Sequence, residues 1–348
     1  MTGSTPLHLG FVGAGAIVEH HLRVLERLAG VDVAAVCDVD EQRAAKVASD
    51  LGARAYGDWK TMLAGERLDA VFVCTPPANH ATPVVAALSE GMPVYVEKPL
   101  ARSLAGGLEI VAAWEASRAV CAVGYQWRSL DVLHDLRSHL RGAVPGMMLS
   151  RSIGPTERAR GDLDRARSGS DASWFVDPQR SGGILFELGS HDIDLQVALA
   201  GPAESVQAYA GSGLLALAGK PASELHDAVA VLLRFAGGGI GAVHVAWSNA
   251  QEPPIYAIDV LAPDVALHLE LDPAFELRGS AYGVDVSATG AVHPRISSVS
   301  RFLDAVRSAD RGAVPCSPAD ALDTLRAALA CEAAIASGQR VSVDRPRR

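Results

Sequence analysis

Lys98, Glu187 and His191 are the side chains whose types and settings suit them to moving a proton. Lys98 closes the run Pro93-Val94-Tyr95-Val96-Glu97-Lys98-Pro99-Leu100, in which a short apolar strand ends at a lysine and is stopped by a proline. Pro99 has no N–H to give to a sheet and pushes the residue before it toward extended backbone, so Lys98 belongs at the carboxyl end of a strand. In an open parallel sheet that is the edge over which ligands bind. An amine there, charged or neutral, would lower the cost of a developing alkoxide. The plain alternative is a solvated lysine at a strand exit.

Glu187 and His191 fall after the turn Ser181-Gly182-Gly183, in a stretch whose apolar residues Ile184, Leu188, Ile193, Leu195 and Leu199 predict one helix over 184–200. Glu187 and His191 are four apart and Asp194 lies three further on, so the three form one polar stripe on that helix. A carboxylate beside a histidine stabilises the imidazolium and orients the ring, which suits a group that gains and loses a proton near neutral pH. The same pair could ligate a metal, but no third ligand can be located in the sequence and no metal is expected.

These groups need elements to position them. The apolar run 7–12 is followed at once by Gly13-Ala14-Gly15-Ala16-Ile17-Val18 and then by a helical pattern carrying Leu22, Leu25 and Leu28. Strand, glycine turn and helix are the setting of a dinucleotide-binding turn: Gly13 permits the tight turn, and Gly15 lets the backbone approach a pyrophosphate favoured by the helix's free N–H groups. Val18 stands where a third glycine would be, so the helix packs slightly farther out. The next apolar run, 31–37, ends in Asp38, an acidic residue placed to accept hydrogen bonds from ribose hydroxyls and to repel a 2'-phosphate. That favours NAD over NADP. Arg43 could still meet a phosphate, and Asp38 or Asp40 could simply cap the following helix.

The rhythm then repeats: helix 41–51, strand 54–56, helix 59–63, strand 69–74, the stiff loop Thr75-Pro76-Pro77-Ala78-Asn79-His80, a helix to Gly91, strand 94–96, helix 104–117 and strand 120–125. Such alternation builds a parallel sheet with helices on both faces. His80 would cap or pack the start of its helix, while its loop could wall a cofactor groove. Residues 151–183 are charged and short of apolar side chains until Trp174-Phe175, and read as a loop. Trp174 would stack on a sugar ring or anchor the loop in a core. From Pro202 onward strands are expected at 205–211, 227–235, 240–248, 255–262, 266–271 and 275–277, with turns at 237–239 and 263–264, and helices at 299–306 and 319–336. Apolar residues on both faces of several strands point to a second subunit against this sheet.

With 348 residues, 49% of them apolar, the chain has room for two ordinary domains. A net charge of -9, with no basic run beyond Arg345, Arg347 and Arg348, argues against a nucleic-acid partner. No stretch approaches the roughly 18 apolar residues of a membrane span, and the start lacks a signal peptide's pattern, so a cytoplasmic protein is expected. Cys37, Cys74, Cys121, Cys316 and Cys331 are scattered without a C-x-x-C pair, which gives no expectation of disulfides or zinc.

Taken in order, Gly13-x-Gly15, Asp38, Thr75-Pro76-Pro77-x-Asn79-His80, Glu97-Lys98-Pro99 and Gly182-Gly183-x-Leu185-x-Glu187-x-Gly189-x-His191-x-x-Asp194 resemble the glucose-fructose oxidoreductase, inositol dehydrogenase and rhizopine catabolism (Gfo/Idh/MocA) family over nearly the whole chain. The resemblance implies an α/β fold: an N-terminal Rossmann domain, a doubly wound parallel sheet over 1–124, and a C-terminal α+β domain over 125–348 with an open-faced, mostly antiparallel sheet. Its last helices would pack back on the first domain. It implies that Gly13, Gly15, Ala16, Ile17, Asp38, Thr75 and Pro76 hold the cofactor, joined by Asn79, His80, Glu97, Lys98 and Gln126. It also implies Lys98 beside nicotinamide and substrate, His191 as general acid or base, Glu187 on the substrate, and Asp194 behind them; Trp174, read from its place before the glycine turn, is a further candidate for the substrate. Glu187 stands where aspartate is more usual, which lengthens the side chain by one methylene.

The activity this implies is an NAD-dependent oxidoreductase acting on a secondary alcohol or ketone of a sugar, cyclitol or related polyol, as a homo-oligomer, dimer or tetramer, built through the C-terminal sheet. An enzyme that reduces and reoxidises NAD within one cycle, giving epimerisation, elimination or glycoside cleavage, would use the same residues. A nucleotide-sensing regulatory protein would keep the fold but have no need of the Lys98, Glu187 and His191 set.

Overall fold

Runs of Val, Ala, Phe and Cys with little polar interruption become the strands of the first sheet: β1 (Leu7–Val12), β2 (Val31–Cys37), β3 (Arg54–Tyr56), β4 (Ala70–Val73), β5 (Val94–Val96) and β6 (Cys121–Val123). The computed structural model describes residues 6–154, 178–214, 226–248 and 254–344. Its strands pair in the order β3-β2-β1-β4-β5-β6, every pairing parallel. The order reverses between β1 and β4, and in such sheets the crevice for a ligand opens over the carboxyl ends at that reversal. β1, β4 and β5 are buried along most of their length, as strands covered on both faces must be.

The chain divides into two compact units, residues 1–126 with 295–322, and residues 127–294 with 323–348. The first unit thus recruits the helix Pro294–Ser308 almost entire. Phe302 on it meets Phe72 and Tyr95 edge-on at 5.6 and 5.5 Å, and those two rings stack at 5.0 Å. Each such ring removed from water stabilises the fold by about 1.5–3 kcal/mol, and aromatic pairs add about 0.5–1.5 kcal/mol.

The second unit carries β7 (Met147–Gly154), β8 (Ala203–Gly211), β9 (Ala228–Phe235), β10 (Ile240–Trp247), β11 (Ile255–Ala262), β12 (Val265–Asp272), β13 (Glu276–Ala281), β14 (Val284–Thr289) and β15 (Val341–Ser342). They form one sheet in the order β14-β13-β12-β11-β7-β10-β9-β8-β15, in which β7 and β10 run parallel and the other pairings are antiparallel. Alternation sets its faces. Val229, Val231, Leu233 and Phe235 of β9 are buried, while Ala230, Leu232 and Arg234 between them are exposed. The helix Ser190–Ala200 packs on β7 and β10. Gln196 pins it there, donating to Ser150 Oγ at 2.8 Å and to the Ala242 carbonyl at 2.9 Å.

Two expectations need correction. Residues 151–154 are not loop; they complete β7, the strand between β10 and β11. Its inward residues are Met148, Ser150, Ser152 and Gly154, so serines and a glycine hide the alternation that marks a half-buried strand. The helix expected over 184–200 begins instead as a π-helical turn, Leu185–Gly189, and becomes α-helical only at Ser190. β14 and the helix Asp131–Leu140 had no counterpart among the expectations; β14 is an edge strand with one buried residue and therefore no apolar pattern. Among the described residues no helix is long and apolar enough to cross a membrane.

Candidate active site

The glycine turn after β1 is built by backbone demands. Gly13 sits at φ +100°, and a Cβ there would lie 2.7 Å from the Cys74 carbonyl oxygen, so both conformation and crowding require glycine. Gly15 is different. Its φ is -77°, and a Cβ would meet nothing within 4 Å, so what glycine provides there is open room beside the backbone. Gly15 also caps the helix Ala16–Leu25 without any side-chain hydrogen bond; the Val18 N–H bonds the Gly15 carbonyl at 2.9 Å, and the N–H groups of Ala16 and Ile17 have no capping side chain. This is the cradle a pyrophosphate needs.

Asp38 closes the turn. Its Oδ2 accepts from the Ala14 N–H at 2.8 Å and its Oδ1 from the Asp40 N–H at 2.9 Å. The capping job falls to Asp40, whose Oδ1 accepts from the Gln42 and Arg43 N–H groups at 3.1 Å each. Arg43 leans on both carboxylates, 3.0 Å from Asp40 and 3.5 Å from Asp38. Asp38 is therefore part of the turn itself and not the helix cap.

The loop after β4 is held from behind. His80 is fully buried, with Nε2 2.8 Å from the Thr75 carbonyl oxygen and Nδ1 2.9 Å from that of Pro99. Burial pushes the imidazole down, against the pull of the two carbonyls and of Glu97. Its ring fastens the Thr75–Asn79 loop to the strand exit carrying Lys98, and so acts on any ligand through that loop. The Thr75 hydroxyl, buried at the sheet's carboxyl edge, has no hydrogen-bond partner among the described residues. Gln126 is engaged within its own unit, accepting from Arg295 Nε at 3.0 Å.

Lys98 is anchored by its neighbour. Glu97 Oε2 accepts from the Lys98 N–H at 3.1 Å, and Oε1 accepts from His21 Nε2 at 2.7 Å. His21 is fully buried, packed edge-on against Phe72 and Tyr95 at 5.4 Å. Burial works to raise the Glu97 carboxyl, but the hydrogen bond and charge of His21, with Arg295 and Lys98, hold it far below the usual carboxylate range. Glu97 is thus an anion fixed beside Lys98.

In the second unit, Gly182 at φ +83° and Gly183 at φ +62° turn the chain, and a Cβ on Gly182 would lie 2.5 Å from the Phe186 ring. Ser190 Oγ then donates to the Phe186 carbonyl at 2.6 Å across the junction of π and α turns. From 183 to 197, Glu187 and His191 alone are partly exposed, and every other residue is buried. Of the titratable side chains on this stretch, Glu187 and His191 are the two it presents, while Asp192 and Asp194 are buried.

Asp194 does not extend their stripe. It is buried and faces Arg128, which donates through Nε and Nη2 at 2.8 Å each, and Thr324, whose hydroxyl donates at 2.8 Å. Trp127, next to Arg128, lies against the His191 ring, centroids 5.1 Å apart and planes at 42°. Asp192 is fully buried, neither oxygen has a hydrogen-bond partner among the described residues, and burial pushes its carboxyl up to about 8. Trp174 lies outside the described residues.

Sequence reasoning missed His21, Trp127, Arg128, Asp192 and Thr324. His21 had a signal: it sits on the apolar stripe of its helix with Val18 and Leu25, where a histidine must be buried and therefore paired. Arg128 had none, because its partner lies 66 positions away.

A parallel sheet in this order, with a glycine turn tied to an acidic residue at the end of β2, is a dinucleotide-binding unit, here joined to a unit built on an open, mostly antiparallel sheet. Residues 7–125 match the family model described as oxidoreductase family, NAD-binding Rossmann fold, and residues 144–281 match the GFO/IDH/MocA C-terminal domain. The chain belongs to the Gfo/Idh/MocA oxidoreductase family, and its first unit is the family's NAD-binding fold. It is 42% identical over 123 residues to inositol 2-dehydrogenase of Pseudomonas syringae pv. syringae, a match covering 34% of this chain and 37% of that one. With inositol 2-dehydrogenase of Acidothermus cellulolyticus it shares 38% over 149 residues, 42% of this chain and 44% of the other. The matched region thus spans well under half of these relatives. A crystal structure of an oxidoreductase from Agrobacterium radiobacter with NAD+, L-tartaric acid and magnesium superposes with a TM-score of 0.81 at 19% identity, covering 97% of this chain and 99% of that one, which shows a shared fold.

Proposed function

We propose that the protein is an NAD-dependent dehydrogenase that oxidises a secondary alcohol of a cyclitol, sugar or related polyol, or reduces the corresponding ketone. The observation that carries this reading is the pairing of exposures along 183–197, where a helix otherwise buried offers only Glu187 and His191. The glycine turn fits the cofactor: Gly13 and Gly15 give room for the pyrophosphate, the N–H groups of Ala16 and Ile17 meet its charge, and Asp38 accepts from the ribose. Thr75, Pro76 and Asn79 would wall the groove, with His80 behind them. When bound, NAD accepts a hydride from the alcohol carbon.

The chain's own residues handle the proton. His191 accepts it from the hydroxyl, Glu187 holds that hydroxyl, and Lys98, kept in place by Glu97, offsets the negative charge developing on oxygen. The loss of one such electrostatic contribution costs about 100-fold or more in rate. Two relatives named inositol 2-dehydrogenase make myo-inositol the first substrate to try. We assign the protein to the cytoplasm, and its outer sheet face, which exposes Tyr209, Leu232 and Ile240, to contact with a second copy.

The test is Lys98→Ala, assayed by NADH absorbance with NAD and a panel of polyols beginning with myo-inositol. Loss of turnover with NAD affinity retained is expected. Unchanged turnover would contradict the assignment, and wild-type protein that binds NAD without net NADH release would favour a closed redox cycle.

A further inference from the structure

We propose that Trp127 is a positioning residue for His191, its indole packing at a tilt against the imidazole and favouring the protonated ring. The proposal rests on the reading of His191 as the proton acceptor. The 5.1 Å between ring centroids is within the range at which a cation is drawn to an aromatic face, and Trp is the strongest such partner. Trp127 is nearly buried, so the contact is shielded from water.

Its placement is not left to chance. Arg128, the next residue, grips Asp194 with two 2.8 Å bonds, and Asp194 lies three positions after His191 on the same helix. One clamp therefore fixes the segment carrying Trp127 to the helix carrying His191. Thr324 closes the third side of the carboxylate.

Asp194 is neutralised by Arg128, and Asp192, the next residue after His191, keeps its proton up to about pH 8. Tyr256 is raised to about 12 by burial and by Asp272 and Asp192, and stays neutral as well. From β7 the helix meets Ser150 and Ser152, and through Gln196 it meets the backbone of β10. Glu187 remains as the carboxylate one turn before the histidine.

Histidine-labelled protein, titrated by NMR with His191 identified by loss of its signal in His191→Asn, tests this directly. In Trp127→Leu the His191 midpoint is expected to fall by about half a unit to one unit, and in Trp127→Phe by less, since a ring remains. An unchanged midpoint in folded Trp127→Leu overturns the proposal. Should that variant not fold, the emission lost on Trp127→Phe substitution serves instead: in the unsubstituted protein it should be quenched as His191 protonates, and the quenching should vanish in His191→Asn. Quenching that persists in His191→Asn overturns the proposal. The catalytic reading fails separately, if His191→Asn turns over normally while the Trp127 titration is as expected.

Discussion

Lys98 and His191 each have a carboxyl group next to them in the chain that is withdrawn from water, and the two carboxyls are handled in opposite ways. Glu97, beside Lys98, meets His21, the Lys98 N–H and Arg295, and stays ionised. Asp192, beside His191, meets no donor at bonding distance and is driven toward the neutral acid. The first neighbourhood carries a fixed anion that anchors a lysine. In the second, the buried carboxylate Asp194 is enclosed by Arg128 and Thr324. What differs is the strength of the partners set against burial: Glu97 has the hydrogen bond and charge of His21 with Arg295 and Lys98, whereas at Asp192 burial outweighs the pull of the Ser152 hydroxyl.

Removing Arg128 should break that contrast most severely. Arg128→Met leaves Asp194 buried without its cation, and destabilisation of about 3–5 kcal/mol is expected in urea unfolding. The double variant Arg128→Met, Asp194→Leu should recover most of it. A single variant as stable as the wild type would mean that the clamp is ornamental.

Asp192→Asn should act in the other direction. Burial pushes the folded carboxyl up to about 8 from its ordinary 3.8, so an unfolded chain releases this proton between pH 4 and pH 8 while the folded one retains it. Stability therefore drains away as pH rises through that window, and the amide, which has no proton to lose, is spared. A gain on the order of 2–4 kcal/mol at pH 8, shrinking toward zero at pH 4, is expected from thermal melts at several pH values. A gain independent of pH would show that Asp192 is not neutral in the fold.

Glu97→Gln should be milder and of opposite sign. Its folded carboxyl lies far below its ordinary value of 4.5, so the stabilisation is present in full above that value and is lost as pH falls below it. A loss of about 1–3 kcal/mol at pH 7, narrowing between pH 5 and pH 3, is expected. Equal losses at pH 7 and pH 3 would contradict the pairing with His21.

Much of this was legible in the chain, for reasons that differ by element. Gly13 is readable because a left-handed backbone position is a local demand, and Asp38 because it ends an apolar strand. Lys98 is readable because Pro99 must stop its strand. Glu187 and His191 stand out at a spacing of four, although the π-helical turn beneath the first of them left no mark in the pattern. Asp194 was placed on the right helix and given the wrong company, because charge pairing across 66 residues is invisible to periodicity. β7 was hidden by Ser150 and Ser152, polar residues turned inward where apolar ones signal a strand. Asp38 and Asp40 were equal candidates for a cap until hydrogen bonds separated them.

The central claim is that a bound NAD and His191 divide the work of removing hydrogen from an alcohol. It is tested most directly by measuring NAD affinity and NADH formation from myo-inositol for the wild type and for His191→Asn in parallel. Turnover lower by about 100-fold or more with NAD affinity within about twofold is the result expected. Turnover preserved in His191→Asn would contradict it.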